Sequence, residues 1–496
     1  MTKSSQNTAQ AADSHPDPRP RHEDHELEMP PLTVVVLAID EKDLVTQTVR
    51  SVEAFAAEIL IVDVVSSDSP AADTPWGCKT LRIPWEGDYA DLKNRAAAKA
   101  TGEWILWMEA GEVFQGDFVE PLIVFLACES DRDEQYYMMV EEPKSGHEDS
   151  PEEIAQLRLT PRRRGLDFQG RIRETTALCA EKLGVRAGSA PGRILRPDRD
   201  IEARRRRARR NRRIAEVALQ ECGEPEARYL LAQAEAMTIL GESRPAHDAY
   251  REAILFSEAH SPERLEAHVG YITSFDAFED SAERQIIATA AALEEFPTDA
   301  PLLCALGNLM RKEGRLDLAA RSFDAALKHG GVTPLTWHSM DVLDLAAVCL
   351  SVCLQKEEKE DEARWVLKKS LEERPCANRV RRRLIELEIA EGNEDAAVTL
   401  LDGMVCTAEE RENIERIIRG ACQLRGGNAA GAVERLQPAY LGGCVDPWCF
   451  RWFIRTLVAV DQVDAAAEVT ERWIRIDPQS SEARQYQEIV SSLATK

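Results

Sequence analysis

The first patterned stretch is LTVVVLAI (Leu32–Ile39), a continuous apolar run of strand length with β-branched residues at its centre. It predicts a strand buried on both faces. Asp43–Ala56 (DLVTQTVRSVEAFA) then spaces its apolar residues as one face of a helix, and EILIVDVV (Glu58–Val65) returns to the strand pattern. KTLRIPW predicts a third strand, Asp88–Gly102 a second helix, and EWILWME (Glu103–Glu109) a fourth strand. Strands alternating with helices at this spacing predict a Rossmann-like α/β domain with a mostly parallel sheet. In such sheets ligands lie beyond the carboxyl ends of the strands. Those ends carry Asp40 and Glu41, Asp63, and Glu109 with Glu112. Carboxylates gathered at one edge require a metal or another polar partner, because unpaired they are costly to desolvate.

Beyond residue 215 the strand pattern gives way to Ala- and Leu-rich helical periodicity with an internal repeat. The clearest unit is Ala300–Gly330. Counted from Ala300, Leu303, Leu306, Gly307 and Met310 fall at positions 4, 7, 8 and 11, and Gly314, Ala319, Phe323 and Ala326 at 15, 20, 24 and 27. Small residues at 8 and 20 let two helices approach, and the large ones fill the gaps. This spacing resembles the tetratricopeptide repeat (TPR). The frame returns at Gly241, Ala246 and Tyr250; at Gly270; at Ala363 and Leu367; at Gly392 and Ala397; at Gly420, Ala432 and Leu436; and at Ala466. About seven units, some degenerate, predict an all-α solenoid over 215–496. Its inner surface implies a protein or peptide partner.

Composition narrows the picture without changing it. A chain of 496 residues suffices for two or three domains. No apolar run reaches the roughly 18–20 residues that span a bilayer, so no transmembrane segment is expected. Residues 1–30 are polar and Pro-rich and lack the apolar core of a secretory signal; they predict a disordered tail, whose His15, His22 and His25 read as solvated. The twelve cysteines show no framework spacing and no CxxC, which points to a reducing, cytoplasmic setting. A net charge of −25 argues against nucleic acid as a partner. The exception is RRRRARRNRR (Arg204–Arg213), read as part of a connector helix over 200–214. Its arginines are expected to pair with acidic patches on both domains. An anionic membrane or a nucleic acid is the alternative, weakened by the missing apolar face and by the acidic bulk.

The α/β domain, taken as 31–199, carries a more specific resemblance, which runs from about Pro31 to Arg213 and on into the repeats. The turns Ile39-Asp40-Glu41 and Asp63-Val64-Val65-Ser66-Ser67-Asp68, the block WEGDYADLKNRAAAKATGEWILWMEAGEV, and RLTPRRRGLDFQGRIRETT (Arg158–Thr176) follow one another as do the blocks of family-2 glycosyltransferases with the GT-A fold. Fusion to tetratricopeptide repeats recurs in one bacterial branch of that family. The resemblance implies a nucleotide-sugar donor and transfer of its sugar to a protein, peptide or glycan acceptor. It places Asp40, Glu41 and Asp63 beside the nucleoside and Lys93 opposite phosphate. It makes Glu109 and Glu112 the remnants of an Asp-x-Asp-Glu motif that binds Mn²⁺ or Mg²⁺, and sets Arg173 and Glu174 in place of a His-Glu pair. Gly111 replaces the second acid, Arg173 replaces the histidine, and no histidine lies between His147 and His247. Two readings remain. Either Arg173 supplies the diphosphate's countercharge without a metal, or the domain is an inactive pseudo-glycosyltransferase serving the repeats as an interaction scaffold.

Overall fold

The computed structural model describes residues 31–65, 72, 75, 77–143, 151–278, 281–478 and 480–494. The tail expected over 1–30 lies outside them.

Strand β1 (Leu32–Ala38) is buried at every residue, as its unbroken apolar run requires. It pairs in parallel with β2 (Glu58–Val65) on one side and β4 (Trp104–Glu109) on the other, and β2 pairs in parallel with β3 (Lys79–Pro84). The crossovers are α1 (Val45–Val52) and α2 (Tyr89–Ala97). They cover opposite faces of the sheet. Val34, Val36 and Leu106 pack with α1, whereas Val35, Leu37 and Trp107 pack with α2. Asp88 caps α2 by accepting from the Asp91 amide at 2.9 Å.

Past β4 the sheet turns mixed. The further strands are β5 (Val113–Phe114), β6 (Glu134–Glu142), β7 (Glu152–Pro161) and β8 (Arg186–Leu195). The order is β3-β2-β1-β4-β7-β6-β8-β5, with β7 antiparallel to β4 and β6, and β6 parallel to β8. Helix α3 (Val119–Cys128) packs on β8, and α4 (Ala177–Leu183) precedes it.

Helix α5 runs Ile201–Glu221, seven residues past the expected connector limit of 214, because Ile214, Ala215 and Ala218 continue its buried face into the helical half. Among the described residues seven helical pairs follow. They are α6 (Ala227–Leu240) with α7 (Ser243–Phe256), α8 (Pro262–Ser274) with α9 (Ala282–Glu295), α10 (Ala300–Lys312) with α11 (Leu316–His329), α12 (Val342–Lys356) with α13 (Glu360–Glu373), α14 (Asn378–Glu391) with α15 (Glu394–Thr399), α16 (Ala408–Arg425) with α17 (Ala429–Leu441), and α18 (Pro447–Ala459) with α19 (Val463–Ile476). Helix α20 (Ser481–Ala494) covers the last pair. Inside the pair α10–α11, a Cβ on Gly307 would stand 2.7 Å from the Phe323 ring; one on Gly420 would stand 2.6 Å from Leu436. The position-15 turn is left-handed at Gly241, Gly314 and Gly392, and also at Glu358 (φ 63°) and Asp461 (φ 61°), where no glycine marks it.

Among the described residues the solenoid meets the sheet domain in two places. Its first helices meet α5 and the 168–175 loop. Further along, the α11–α12 connection adds β9 (His338–Ser339) antiparallel to β7, with Trp337 under the Arg196 guanidinium at 5.3 Å.

Candidate functional site

Parallel register brings the predicted acids together. Asp63 lies beside Ala38 and Glu109 beside Leu37, so β1, β2 and β4 deliver their carboxylates to one edge, with Asp40 and Glu41 in the turn after β1. What the residue pattern does not reveal is that each acid is met by a cation of the chain itself.

Asp63 is buried and faces Lys42 Nζ at 2.8 Å and Arg82 Nε at 3.6 Å. Lys42, from a turn of 3₁₀ helix after β1, also donates to the Val64 carbonyl at 2.5 Å. The Arg199 guanidinium donates to Glu41 at 2.6 Å. Helix α5 lies across the remaining edge: Arg207 pairs with Glu109 at 2.7 Å, and Arg210 pairs with Asp40. Arg210 also donates to the Tyr89 hydroxyl at 2.9 Å and stacks over Trp85 at 5.4 Å. Burial by itself would raise the Glu109 pKa, but Arg207, and then Arg196, outweigh it and hold the carboxyl well below the usual range. The arginine-rich run thus bridges the halves as expected. Toward the solenoid, Arg212 pairs with Glu242 at 2.7 Å.

Glu112 shares Arg196 as a neighbour with Glu109 but is paired elsewhere. Its side chain is fully buried and points into the domain. It accepts from Arg158 Nη1 and Nη2 at 2.9 and 2.8 Å and from the Glu109 amide at 2.8 Å, and Arg196 stands 3.5 Å away. Gly111, where the second acid of the motif would sit, has φ +89°. A Cβ there would stand 3.0 Å from both Leu44 Cδ1 and Pro197 Cγ. The residues therefore do not fit a divalent metal: one acid turns inward, one is held by Arg207, and the left-handed, crowded backbone between them disfavours a third. Among the described residues no group of three His, Cys, Asp or Glu is placed to hold one.

Lys93 and Glu174 come together, but as partners of each other at 2.6 Å, with Lys93 over the Phe168 ring at 4.6 Å. Arg173 is a correction. It leaves the strand edge altogether and pairs with Glu235 and Glu266 of the solenoid. At the edge, Arg207 and Arg210 of α5 stand with Lys42, Arg82 and Arg199. From the sequence alone Arg158 has no role beyond opening the block Arg158–Thr176. A usable signal existed, since Arg158 falls in phase with buried Ile154 and Thr160 along β7, where a charge needs a buried partner.

Residues 33–159 match the family described as glycosyl transferase family 2. A TPR repeat-containing protein of Synechococcus elongatus is 34% identical over 85 residues, which cover 17% of this chain and 21% of that protein. The chain thus spans about a fifth of the curated relative it matches. Similar solved structures include a tetratricopeptide repeat protein from Parabacteroides merdae, with TM-score 0.40, 14% identity, and coverage of 53% of this chain and 98% of that one. Yeast Tom70 has TM-score 0.39 and 16% identity, with coverage of 60% and 59%. Among the described residues no helix is long and apolar enough to cross a membrane.

Proposed function

We propose that this chain, a family-2 glycosyltransferase domain leading into a tetratricopeptide solenoid, works as a non-catalytic binding scaffold. The solenoid takes a protein or peptide partner. The sheet domain is its rigid base, with the former donor edge closed by the chain's own arginines. The observation that carries this reading is the docking of α5, whose Arg207 and Arg210 occupy Glu109 and Asp40 where a donor's diphosphate and its metal would need them. Displacing them would leave the part-buried Glu109 without its cation, at a cost that the more exposed Asp40 does not share. The cysteines' lack of any framework spacing is what favours a reducing, cytoplasmic setting.

A second reading keeps sugar transfer from a nucleotide-sugar donor to a protein, peptide or glycan acceptor. It is favoured by the buried Asp63 and by the Lys93–Glu174 pair, and it requires α5 to lift from the edge.

A melting-temperature screen separates the two. The full chain is heated with millimolar UDP-, GDP- and dTDP-sugars, with Mn²⁺, with Mg²⁺ and with chelator. The scaffold reading expects no shift. A donor present at 100 times its Kd would add about 2.7 kcal/mol, and a shift of that order would overturn the scaffold in favour of the transferase.

A further inference from the structure

Arg173 is at odds with its surroundings in the sheet domain. It sits at φ +52°, in the left-handed region that a side chain with a Cβ avoids, at the tip of the 168–175 loop closed by the Gln169–Thr175 bridge. What it reaches from there is not its own domain. Nη1 donates to Glu266 Oε2 at 2.9 Å, Nη2 donates to the other Glu266 oxygen, and Nη2 also donates to Glu235 Oε1 at 2.7 Å. The two acids come from different helices, α6 and α8, on the first two repeat units.

We propose that Glu235 and Glu266 form a guanidinium-binding site of the solenoid, that Arg173 fills it as an internal ligand, and that an arginine-bearing peptide of a partner competes for it. The proposal rests on reading the solenoid as a binding surface and names the chemistry it recognises. A planar guanidinium satisfies both oxygens of one carboxylate and one of the other at the same time, which a lysine ammonium does not match in geometry. Without a cation, two half-buried carboxylates would face each other. Even with Arg173 present, burial and then the Glu266 charge push Glu235 up to about 7. What fits the pair to a guanidinium is the geometry, three donated hydrogen bonds from one planar group to carboxylates on two helices.

Exchange does not require the domains to separate. The loop stays anchored by Arg171 on Glu221 (2.6 and 2.7 Å) and by Ile172 in a cluster with Ile214 and Tyr229. Arg173 itself is one-quarter exposed, so its side chain has a way out. The acidic excess of the chain draws a basic segment toward it.

The test uses the full chain and calorimetric titration with blocked Gly-Arg-Gly and Gly-Lys-Gly peptides. Arg173→Ala is expected to bind the arginine peptide at least about ten-fold tighter than the unaltered chain and to prefer it over the lysine peptide. Adding Glu266→Gln should remove that gain. Equal binding by Arg173→Ala and the unaltered chain, or full binding after Glu266→Gln, overturns the proposal. If Arg173→Ala does not melt cooperatively, Arg173→Lys takes its place, because lysine gives up the forked contact; equal affinity there also overturns it. A protein partner that still binds Glu266→Gln as tightly as the unaltered chain would defeat this site and leave the scaffold standing. A donor-induced melting shift would defeat the scaffold and leave the site standing.

Discussion

Replacing Glu112 by glutamine separates two roles that one acid at this position can have. As a metal ligand its loss would weaken metal binding and little else. As the partner of Arg158 its loss strands a charge in the core. Glu112 is fully buried and Arg158 nearly so, and two N–H groups of the guanidinium point at the two carboxylate oxygens at 2.9 and 2.8 Å. Glutamine keeps one acceptor for Arg158 or the Glu109 amide but turns an NH₂ group toward the other donor. Breaking one side of a buried pair costs about 3–5 kcal/mol. In a domain of this size each kcal/mol moves the midpoint by about 2–4 °C, so Glu112→Gln should melt roughly 6–20 °C lower. Urea unfolding followed by tryptophan fluorescence reports it, since Trp104 and Trp107 lie buried in the adjoining strand β4. Replacing both partners by apolar residues of similar volume should recover much of the loss. A Glu112→Gln change below about 0.5 kcal/mol would refute the reasoning, since that is the range of a surface substitution. So would a Mn²⁺-induced stabilisation that the unaltered chain shows and the variant lacks.

Four shorter predictions test the same physics elsewhere. Gly111→Asp restores the missing acid on paper, but at φ +89° and with Cβ crowding Leu44 and Pro197 it should cost about 1–3 kcal/mol and create no metal-dependent stabilisation; a Mn²⁺-dependent rise in Tm would contradict this. Burial alone would raise the Glu58 pKa, yet Lys79, Thr33 and Thr101 together bring it from 4.5 to about 2. Its stabilisation is therefore complete above pH 4.5 and lost as pH falls through about 2, and is worth about 2 kcal/mol once the exposure of Lys79 is allowed for. Unfolding curves of Glu58→Gln from pH 2 to 7 should lose that slope. An alanine Cβ at Gly270 would stand 2.2 Å from the Tyr250 ring, against 2.7 Å from Phe323 at Gly307, so both should destabilise by about 1–3 kcal/mol with Gly270→Ala the worse; the reverse order in thermal melts would count against the packing argument. Glu358→Gly should stabilise by about 0.5–1 kcal/mol, because it relieves a left-handed residue where Gly392 is at ease in the corresponding turn; a lower midpoint would show that the turn is not strained.

Much of the fold was legible because period and burial are linked one residue at a time. The run at Leu32–Ala38 has no polar phase, so it had to be a strand covered on both sides, and it is. The frame of Gly307 and Phe323 was legible because two helices that close need a hole and a knob at one level. The site was legible only in part. Asp40, Asp63 and Glu109 were placed at one edge because parallel register follows from the strand-helix-strand order. Arg173 was misplaced because its partners, Glu235 and Glu266, lie 62 and 93 residues away on helices whose position no local pattern encodes.

The order of residues thus determined the elements, the two kinds of domain, the repeat and the convergence of acids, since each rests on short-range periodicity and on the handed connections of a parallel sheet. Tertiary structure alone decided what those acids do. Whether a carboxylate holds a metal or a guanidinium depends on which cation lies within about 3 Å of it. That in turn was decided by how α5 crosses the sheet edge, how Glu112 turns inward to Arg158, and how far the 168–175 loop reaches into the solenoid.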